Sequence, residues 1–283
     1  MTGDQRSEGD ADTRPGQPRQ PTKLSVAAVL QTAIGRIRRD PLLAVPFTIA
    51  GILVALVDWL RTRDPIPVAT PDALSQTVSL QYSVVPQGTA RTVRYADAMI
   101  DLQLPYLLWA GGLELVVVLV VGFAGWLTIA RTLETSFEPG GLSRYLLALM
   151  ALVSLPQLLG ASITIERFLV GLGLLAVFLA VAVRLFLFPA CLVAGSGFIT
   201  SLRQSYRRSS GHGTTIAGIV IVIGLASWGL VKIPHLGGFL STAIVAPVHA
   251  VVLGTIVARE PTRLDAGPID HSGEQNISSD PSR

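Results

Sequence analysis

The chain alternates between long apolar runs and short polar connections. Six of the apolar runs are close to 20 residues or longer, which at a rise of about 1.5 Å per residue matches the roughly 30 Å hydrocarbon core of a bilayer. These runs are 41–60, 105–130, 145–165, 168–194, 214–231 and 237–258. Because a backbone in lipid must satisfy its own hydrogen bonds, such runs predict helices. The pattern therefore predicts an all-α integral membrane protein, a six-transmembrane-helix bundle.

The composition agrees with this prediction. Half of the 283 residues are hydrophobic and only 14% are charged, whereas soluble domains carry about 25% charge. The net charge of +3 is spread over loops and tails, which argues against a nucleic-acid-binding surface. Cys191 is the single cysteine, so it cannot form an intrachain disulfide.

The two ends of the chain differ from the apolar region. Residues 1–22 and 261–283 are rich in polar residues, glycine and proline and predict disordered tails around a membrane domain, 23–260. Within that domain, 23–39 predicts an amphipathic helix ending in Arg36, Arg38 and Arg39. Two interpretations stay open: an interfacial helix with its arginines at lipid headgroups, or a solvent-exposed helix docked on the spans.

The longest connection, 61–104, has a different pattern. Apolar residues alternate with polar ones from Val78 to Val84, which is the period of a strand. Pro86–Thr89 has turn composition, and 91–95 supplies a return strand. An isolated hairpin is marginal in water. The sequence therefore predicts a β-hairpin loop packed on the spans or on a partner.

The basic residues predict the orientation, because cytoplasmic loops carry more Lys and Arg. With six spans both termini share a side, and that side has eleven basic residues against six on the other. The first set is Lys23, Arg36, Arg38, Arg39, Arg131, Arg144, Arg203, Arg207, Arg208, Arg259 and Arg263; the second is Arg61, Arg63, Arg91, Arg94, Arg167 and Lys232. We therefore expect a multi-pass plasma-membrane protein with both termini cytoplasmic and the hairpin loop extracytoplasmic.

Small residues recur every four positions in the last span. They are Gly238, Thr242, Ala246, Ala250, Gly254 and Ala258. A continuous ridge of this kind lets two helices approach closely, so that dispersion contacts join them. We expect it to pack inside the bundle; a homodimer interface is the alternative.

Three ionisable residues lie within the predicted spans: Glu114, Arg184 and His249. Charge in a bilayer is costly, so such groups are usually paired or face a cavity. One interpretation is a polar pocket in which Arg184 anchors an anion and His249 titrates beside it. The other, which the sequence favours, is structural: Arg184 bonds Glu114 or backbone carbonyls, and His249 bonds a neighbouring helix.

The sequence contains no complete motif of a known enzyme class. Residues 171–176 imitate a dinucleotide fingerprint but have no preceding strand. The chain has neither a His-Glu-x-x-His zinc motif nor a phosphate-binding loop. We therefore expect a protein that is not an enzyme, has no catalytic residue, and takes neither cofactor nor metal.

A short basic segment follows the fourth span. Leu202 and Tyr206 would lie on one side of a helix and Arg203, Arg207 and Arg208 on another. Such a helix can rest on the inner leaflet and draw anionic headgroups. It is the second predicted cytoplasmic interfacial helix.

This region also carries a family resemblance. The residues are Val183-Arg184-Leu185-Phe186-Leu187-Phe188-Pro189-Ala190, Gly197, Ser201-Leu202-Arg203-Gln204-Ser205-Tyr206-Arg207 and Gly211. The segment resembles one in uncharacterised six-span membrane proteins of archaea and bacteria, which are similar to the membrane domain attached to some glycerophosphoryl diester phosphodiesterases. Ala194-Gly195 stands where that pattern often has an acid. The resemblance implies six helices and membrane residence and no activity.

Together these features predict a scaffold, an assembly partner or a lipid-contacting module. Its partners would be membrane lipids, with a protein partner or a second copy as a further possibility, and no nucleic acid. The alternative is a small permease or transport subunit that uses Arg184, His249 and Glu114.

Overall fold

The computed structural model describes residues 25–68, 84–88, 92, 94, 102–158, 168–234 and 236–259; the side chains of 154–158 and 168 are outside the description. All regular structure within these residues is helical. Five helices are long and apolar enough to cross a membrane: Pro41–Arg61, Leu104–Leu133, Leu169–Val193, Gly213–Val231 and Gly237–Arg259. The chain is therefore a helical protein with the features of a multi-pass membrane protein.

The first half of the fold contains four α-helices. They are α1 (Val26–Arg39), α2 (Val45–Arg61), α3 (Leu104–Leu133) and α4 (Pro139–Leu158), and the short 3-10 turn Pro41–Leu43 precedes α2. Proline fits the first turn of a helix, where no N–H donor is needed. For this reason α4 begins at Pro139, six positions before the apolar run predicted for it.

The second half contains six α-helices, and two of its three spans are interrupted near a proline. These elements are α5 (Phe168–Leu185), α6 (Phe188–Val193), α7 (Phe198–Ser209), α8 (Gly213–Val231), α9 (Gly237–Leu240) and α10 (Ala246–Arg259). Pro189 lacks an N–H, and the helix breaks just before it at Phe186–Leu187. A π-helical segment, Ser241–Val245, similarly precedes Pro247. A wider turn relieves the clash between the proline ring and the preceding carbonyls.

The centre of the bundle is formed by α2, α3 and α10, which pack on one another. In an apolar 18-residue stretch of the last span, 78% of the residues are buried. In the corresponding stretch of the span that contains α5 and α6, only 17% are buried. Apolar helices that expose most of their surface suit contact with lipid. The centre is therefore at α10, and α5 lies at the periphery.

Two of the predicted details fall partly outside the description. The third predicted span, 145–165, extends beyond Leu158, and the described apolar part of α4, Pro139–Val153, is shorter than a bilayer crossing. Most of the predicted hairpin also lies outside the described residues, and those that are described, 84–88, 92 and 94, form no strand. The sixth span and the hairpin therefore stay predictions, as do the disordered tails.

Residues 84–88, which we call the inserted segment, lie inside the bundle. Val85 is 3% exposed and belongs to the central apolar core. A Cβ placed on Gly125 of α3 would lie 3.3 Å from Pro86 Cγ, and a Cβ on Gly88 would collide with the backbone of Thr242. Gly125 is eight positions before the last residue of α3, about 12 Å along the helix. The described part of a turn predicted to face outward is therefore packed between helices, with Pro86 buried and Gln87 and Gly88 half-buried.

Candidate functional site

The helix α7 presents an unusual surface. Its three serines at positions 201, 205 and 209 are fully buried against the protein. Its outward surface carries Phe198, Ile199, Leu202 and Tyr206, which are 39–79% exposed. Arg203 and Arg207 are also exposed, and Arg208 is partly so. The small polar face is inside, and the apolar and basic faces are outside.

Hydrogen bonds explain why the serine face is inward. Ser205 Oγ donates to the carbonyl of Arg184 at 2.7 Å, and Ser201 Oγ donates to the carbonyl of Ser196 at 3.3 Å. The break before Pro189 leaves carbonyls of α5 without helical donors, and α7 supplies one. The helix is thereby fixed across the end of α5 and α6, against which it packs.

Arg184 takes part in the same junction. Its guanidinium carbon lies 4.4 Å from the centre of the Tyr206 ring, and Nη1 donates to the Tyr206 carbonyl at 3.4 Å. The structure does not bring Arg184 to Glu114, which pairs with Arg61 instead. Of the two structural bonds expected for Arg184, the bond to a backbone carbonyl is formed, to Tyr206, whereas the bond to Glu114 is not. The reason is that the end of α2 offers Glu114 a closer guanidinium.

Glu114 belongs to a buried ion-pair cluster, which we define as Asp58, Arg61 and Glu114. Arg61 Nη2 lies 2.6 Å from Glu114 Oε2, and Arg61 Nη1 lies 3.4 Å from Asp58 Oδ1. The Arg61 side chain is 3% exposed. Because α2 and α3 are antiparallel neighbours, the last turn of α2 lies beside the first part of α3.

Thr92 ties the long connection to this cluster. Its Oγ1 donates to Asp58 Oδ1 at 2.5 Å, and its carbonyl accepts from Arg61 Nη1 at 3.1 Å. Nearby in sequence, the fully buried Arg94 donates to both carboxylate oxygens of Asp64, at 2.8 and 2.7 Å. These contacts attach residues 92 and 94, which follow the inserted segment in sequence, to the end of α2 and the residues just after it. A buried arginine left without its carboxylate would be strongly unfavourable.

Sequence reasoning missed these partners. The sequence places Asp58 near the end of a predicted span, and it marks Arg61 and Arg94 only as basic residues of the long connection. The spacing of Asp58 and Arg61, three apart on one helix face, was the available signal. Their pairing with Glu114 and Thr92 depends on residues 53 and 31 positions away, which no local pattern reveals.

His249 lies elsewhere in the core. Its ring stacks on Phe186 with a centroid distance of 5.3 Å and an angle of 18° between the ring planes, and the residue is 2% exposed. Among the described residues, neither the cavity of about 10 Å³ beside Tyr145 nor the cavity of about 330 Å³ beside Trp126 is lined by His249, Arg184 or Glu114. The three predicted residues thus occupy separate places.

The arginines of α1 lie at the same end of the bundle as the end of α3. Arg36 Nη2 donates to the carbonyl of Thr132 at 2.9 Å and lies 3.5 Å from a Glu134 carboxylate oxygen. Arg38 and Arg39 are exposed. The helix itself is docked, because Val29 and Ala33 are buried and α1 packs on α10 and α8. It therefore has a docked face together with an exposed basic end.

The small residues of the last span face other helices of the same chain. Gly238, Thr242, Ala246, Ala250 and Gly254 are buried, and only Ala258 is exposed. A Cβ on Gly254 would lie 2.5 Å from Thr132 Cγ2 of α3. At this position the two helices are in backbone-to-side-chain contact, which only glycine permits.

Comparison with protein-family models, with curated proteins and with solved structures gave no match for this chain.

Proposed function

We propose that this chain is a non-enzymatic integral membrane protein of the plasma membrane that contacts anionic lipid headgroups through α7. One observation carries the proposal: α7 buries its serines and turns its apolar and basic side chains outward. A helix in water would be expected to bury Ile199 and Leu202 and to expose its serines. The inverse arrangement suits a helix whose outer surroundings are the boundary between acyl chains and headgroups.

Two interactions favour the placement of α7 at a membrane surface. Ile199 is 79% exposed and Tyr206 is 56% exposed, and covering each with acyl chains yields about 25 cal/mol per Å² of apolar surface. Each arginine near an anionic leaflet adds about 1 kcal/mol. Arg203 and Arg207 lie beside these apolar residues on the exposed surface. One position at the membrane surface therefore buries the apolar side chains and brings the arginines to the headgroups.

The proposal also includes the cytoplasmic location of α7, since anionic lipids concentrate in that leaflet. The excess of basic residues on the side of the termini supports it. The resemblance of 183–211 to the membrane domain of glycerophosphoryl diester phosphodiesterases stays a prediction and is compatible with a membrane module that has no activity of its own.

The test compares lipid-dependent stabilisation of the purified protein. Thermal unfolding is measured in neutral detergent micelles with phosphatidylglycerol or phosphatidylcholine added. We expect phosphatidylglycerol to raise the Tm of the wild type more than phosphatidylcholine does. The variant Arg203→Gln/Arg207→Gln should lose most of this difference.

The matched control removes two basic residues from the opposite end of the bundle. Arg63 and Lys232 lie over the rings of Trp59 and Trp228, respectively. The variant Arg63→Gln/Lys232→Gln has the same net charge as the α7 variant. An equal loss of the phosphatidylglycerol effect in both variants would mean that α7 has no special role and would refute the proposal.

A further inference from the structure

The structure contains a second candidate site, separate from α7, where the ends of three helices meet. A cavity of about 330 Å³ lies between the end of α3, the connection to α4, the start of α4 and the end of α6. Pockets that hold small ligands begin at about 300 Å³. Its walls include Trp126, Ala130, Val193, Ala194 and Gly195, together with the polar residues described next. The cavity is therefore large enough for a ligand headgroup.

The cavity brings one acid and one base together without pairing them. Glu138 and Arg144 both line it, and both are exposed. Among the ion pairs formed by the described residues, none involves Glu138 or Arg144. Arg144 Nε instead donates to the carbonyl of Gly140 at 2.9 Å. Each charge is thus available to an occupant.

The backbone adds to this separation of charge. Glu138 immediately precedes α4, a 20-residue helix, and Arg144 lies in its second turn. Six residues of helix span about 9 Å, so the two charges stand at different points of the wall. A purely anionic ligand would face the Glu138 carboxylate, and a purely cationic one would face Arg144. A ligand with both charges satisfies both residues.

Besides the two charged residues, the wall contains the hydroxyl-bearing residues Thr135 and Ser136 and an apolar part at the ends of two spans. Trp126 is 6% exposed and meets Phe137 edge-on, at a centroid distance of 5.6 Å. Tryptophan is typical of the boundary between hydrocarbon and headgroups. Ala130, Val193 and Ala194 continue the apolar surface from the ends of two spans. An occupant can therefore place a polar head among the charges and an apolar part along the helices.

We propose that this cavity binds a phosphoethanolamine group, with its phosphate on Arg144 and its ammonium on Glu138. Guanidinium binds phosphate through paired N–H donors, and the ammonium is a donor that a carboxylate accepts. The group can come from phosphatidylethanolamine or from the soluble molecule. The proposal does not depend on the role of α7.

The experiment measures the Tm of the purified full-length protein in neutral detergent with one added probe at a time. The probes are phosphatidylethanolamine, phosphatidylglycerol and soluble phosphoethanolamine. For the wild type we expect phosphatidylethanolamine to raise the Tm by roughly 2–4 °C at about tenfold excess over Kd. The variants Glu138→Gln and Arg144→Gln should each lose this shift.

Two exposed residues outside the cavity provide matched controls. Glu134→Gln and Arg38→Gln remove the same charges and should keep the phosphatidylethanolamine shift. A shift that soluble phosphoethanolamine reproduces would identify the free molecule as the source and support the site.

Any of three results would overturn the proposal. The first is an equal phosphatidylethanolamine shift in all four variants, and the second is no shift in the wild type. The third is a phosphatidylglycerol shift that depends on Arg144 but not on Glu138, which would mark a simple anion site. The variant Arg203→Gln/Arg207→Gln should keep the phosphatidylethanolamine shift, so failure here and failure at α7 can be told apart.

Discussion

Arg61 and Glu114 form a short ion pair that joins the last turn of α2 to the first part of α3. Arg61 Nη2 lies 2.6 Å from Glu114 Oε2, and the side chains are 3% and 31% exposed, respectively. The other terminal nitrogen of Arg61 bonds Asp58 and the carbonyl of Thr92. One guanidinium therefore connects two spans and the long connection between them.

Replacing Arg61 should be strongly destabilising. Arg61→Leu leaves Asp58 and Glu114 without their cation, and breaking a buried pair in this way costs about 3–5 kcal/mol. The measurement is thermal unfolding in detergent. The double variant Arg61→Leu/Glu114→Leu should be less destabilised than the sum of its single variants. Additive effects would contradict a direct interaction.

Gly88 should tolerate no side chain. A Cβ there would overlap the backbone of Thr242 in the π-helical segment, and backbone cannot move aside cheaply. We expect Gly88→Ala to cost about 1–3 kcal/mol. Gly229→Ala is the control, because a Cβ at Gly229 meets open space and alanine favours a helix by up to about 1 kcal/mol. Equal melting of the two variants would show that the inserted segment does not pack as described.

The contact between α10 and α3 supplies a third prediction. Gly254→Leu pushes a large side chain into Thr132 and should lower stability by about 1–3 kcal/mol. Ala258 belongs to the same ridge of small residues but is exposed. Ala258→Leu should therefore melt close to the wild type. If both variants behave alike, the ridge does not face α3.

Loss of Arg184 should have a moderate effect. Arg184→Leu removes the contact with the Tyr206 ring and one hydrogen bond, which together contribute roughly 1–2 kcal/mol. The protein should still insert in the membrane, because leucine is compatible with lipid. Unchanged melting in detergent would argue against the role of Arg184 in holding α7.

The orientation can be tested at the two ends of the bundle. Thr62 and Ser210 are both exposed, one after α2 and one after α7. In a Cys191→Ala background, we expect Thr62→Cys to react with an impermeant thiol reagent on intact cells and Ser210→Cys to react only after lysis. The opposite result would place the termini outside. It would also contradict the proposed contact of α7 with the cytoplasmic leaflet.

The sequence by itself determined the class of the protein and most of its helices. Apolar runs of bilayer length leave the backbone no partner but itself, so helices follow without knowledge of any tertiary contact. The helical period likewise predicted α1 and α7, because side-chain spacing on a helix is a local property. The prolines that interrupt the fourth and last spans were also visible.

Only the tertiary structure decided which polar groups meet and where the long connection lies. Arg61 forms an ion pair with Glu114 because antiparallel packing places the end of α2 beside α3. Pro86–Gly88 reads as an exposed turn, since turn composition reports local backbone preferences, and burial is decided by the space between helices. The same holds for α7: its sequence shows serine, apolar and basic faces, and the broken end of α5 selects the serine face as the buried one.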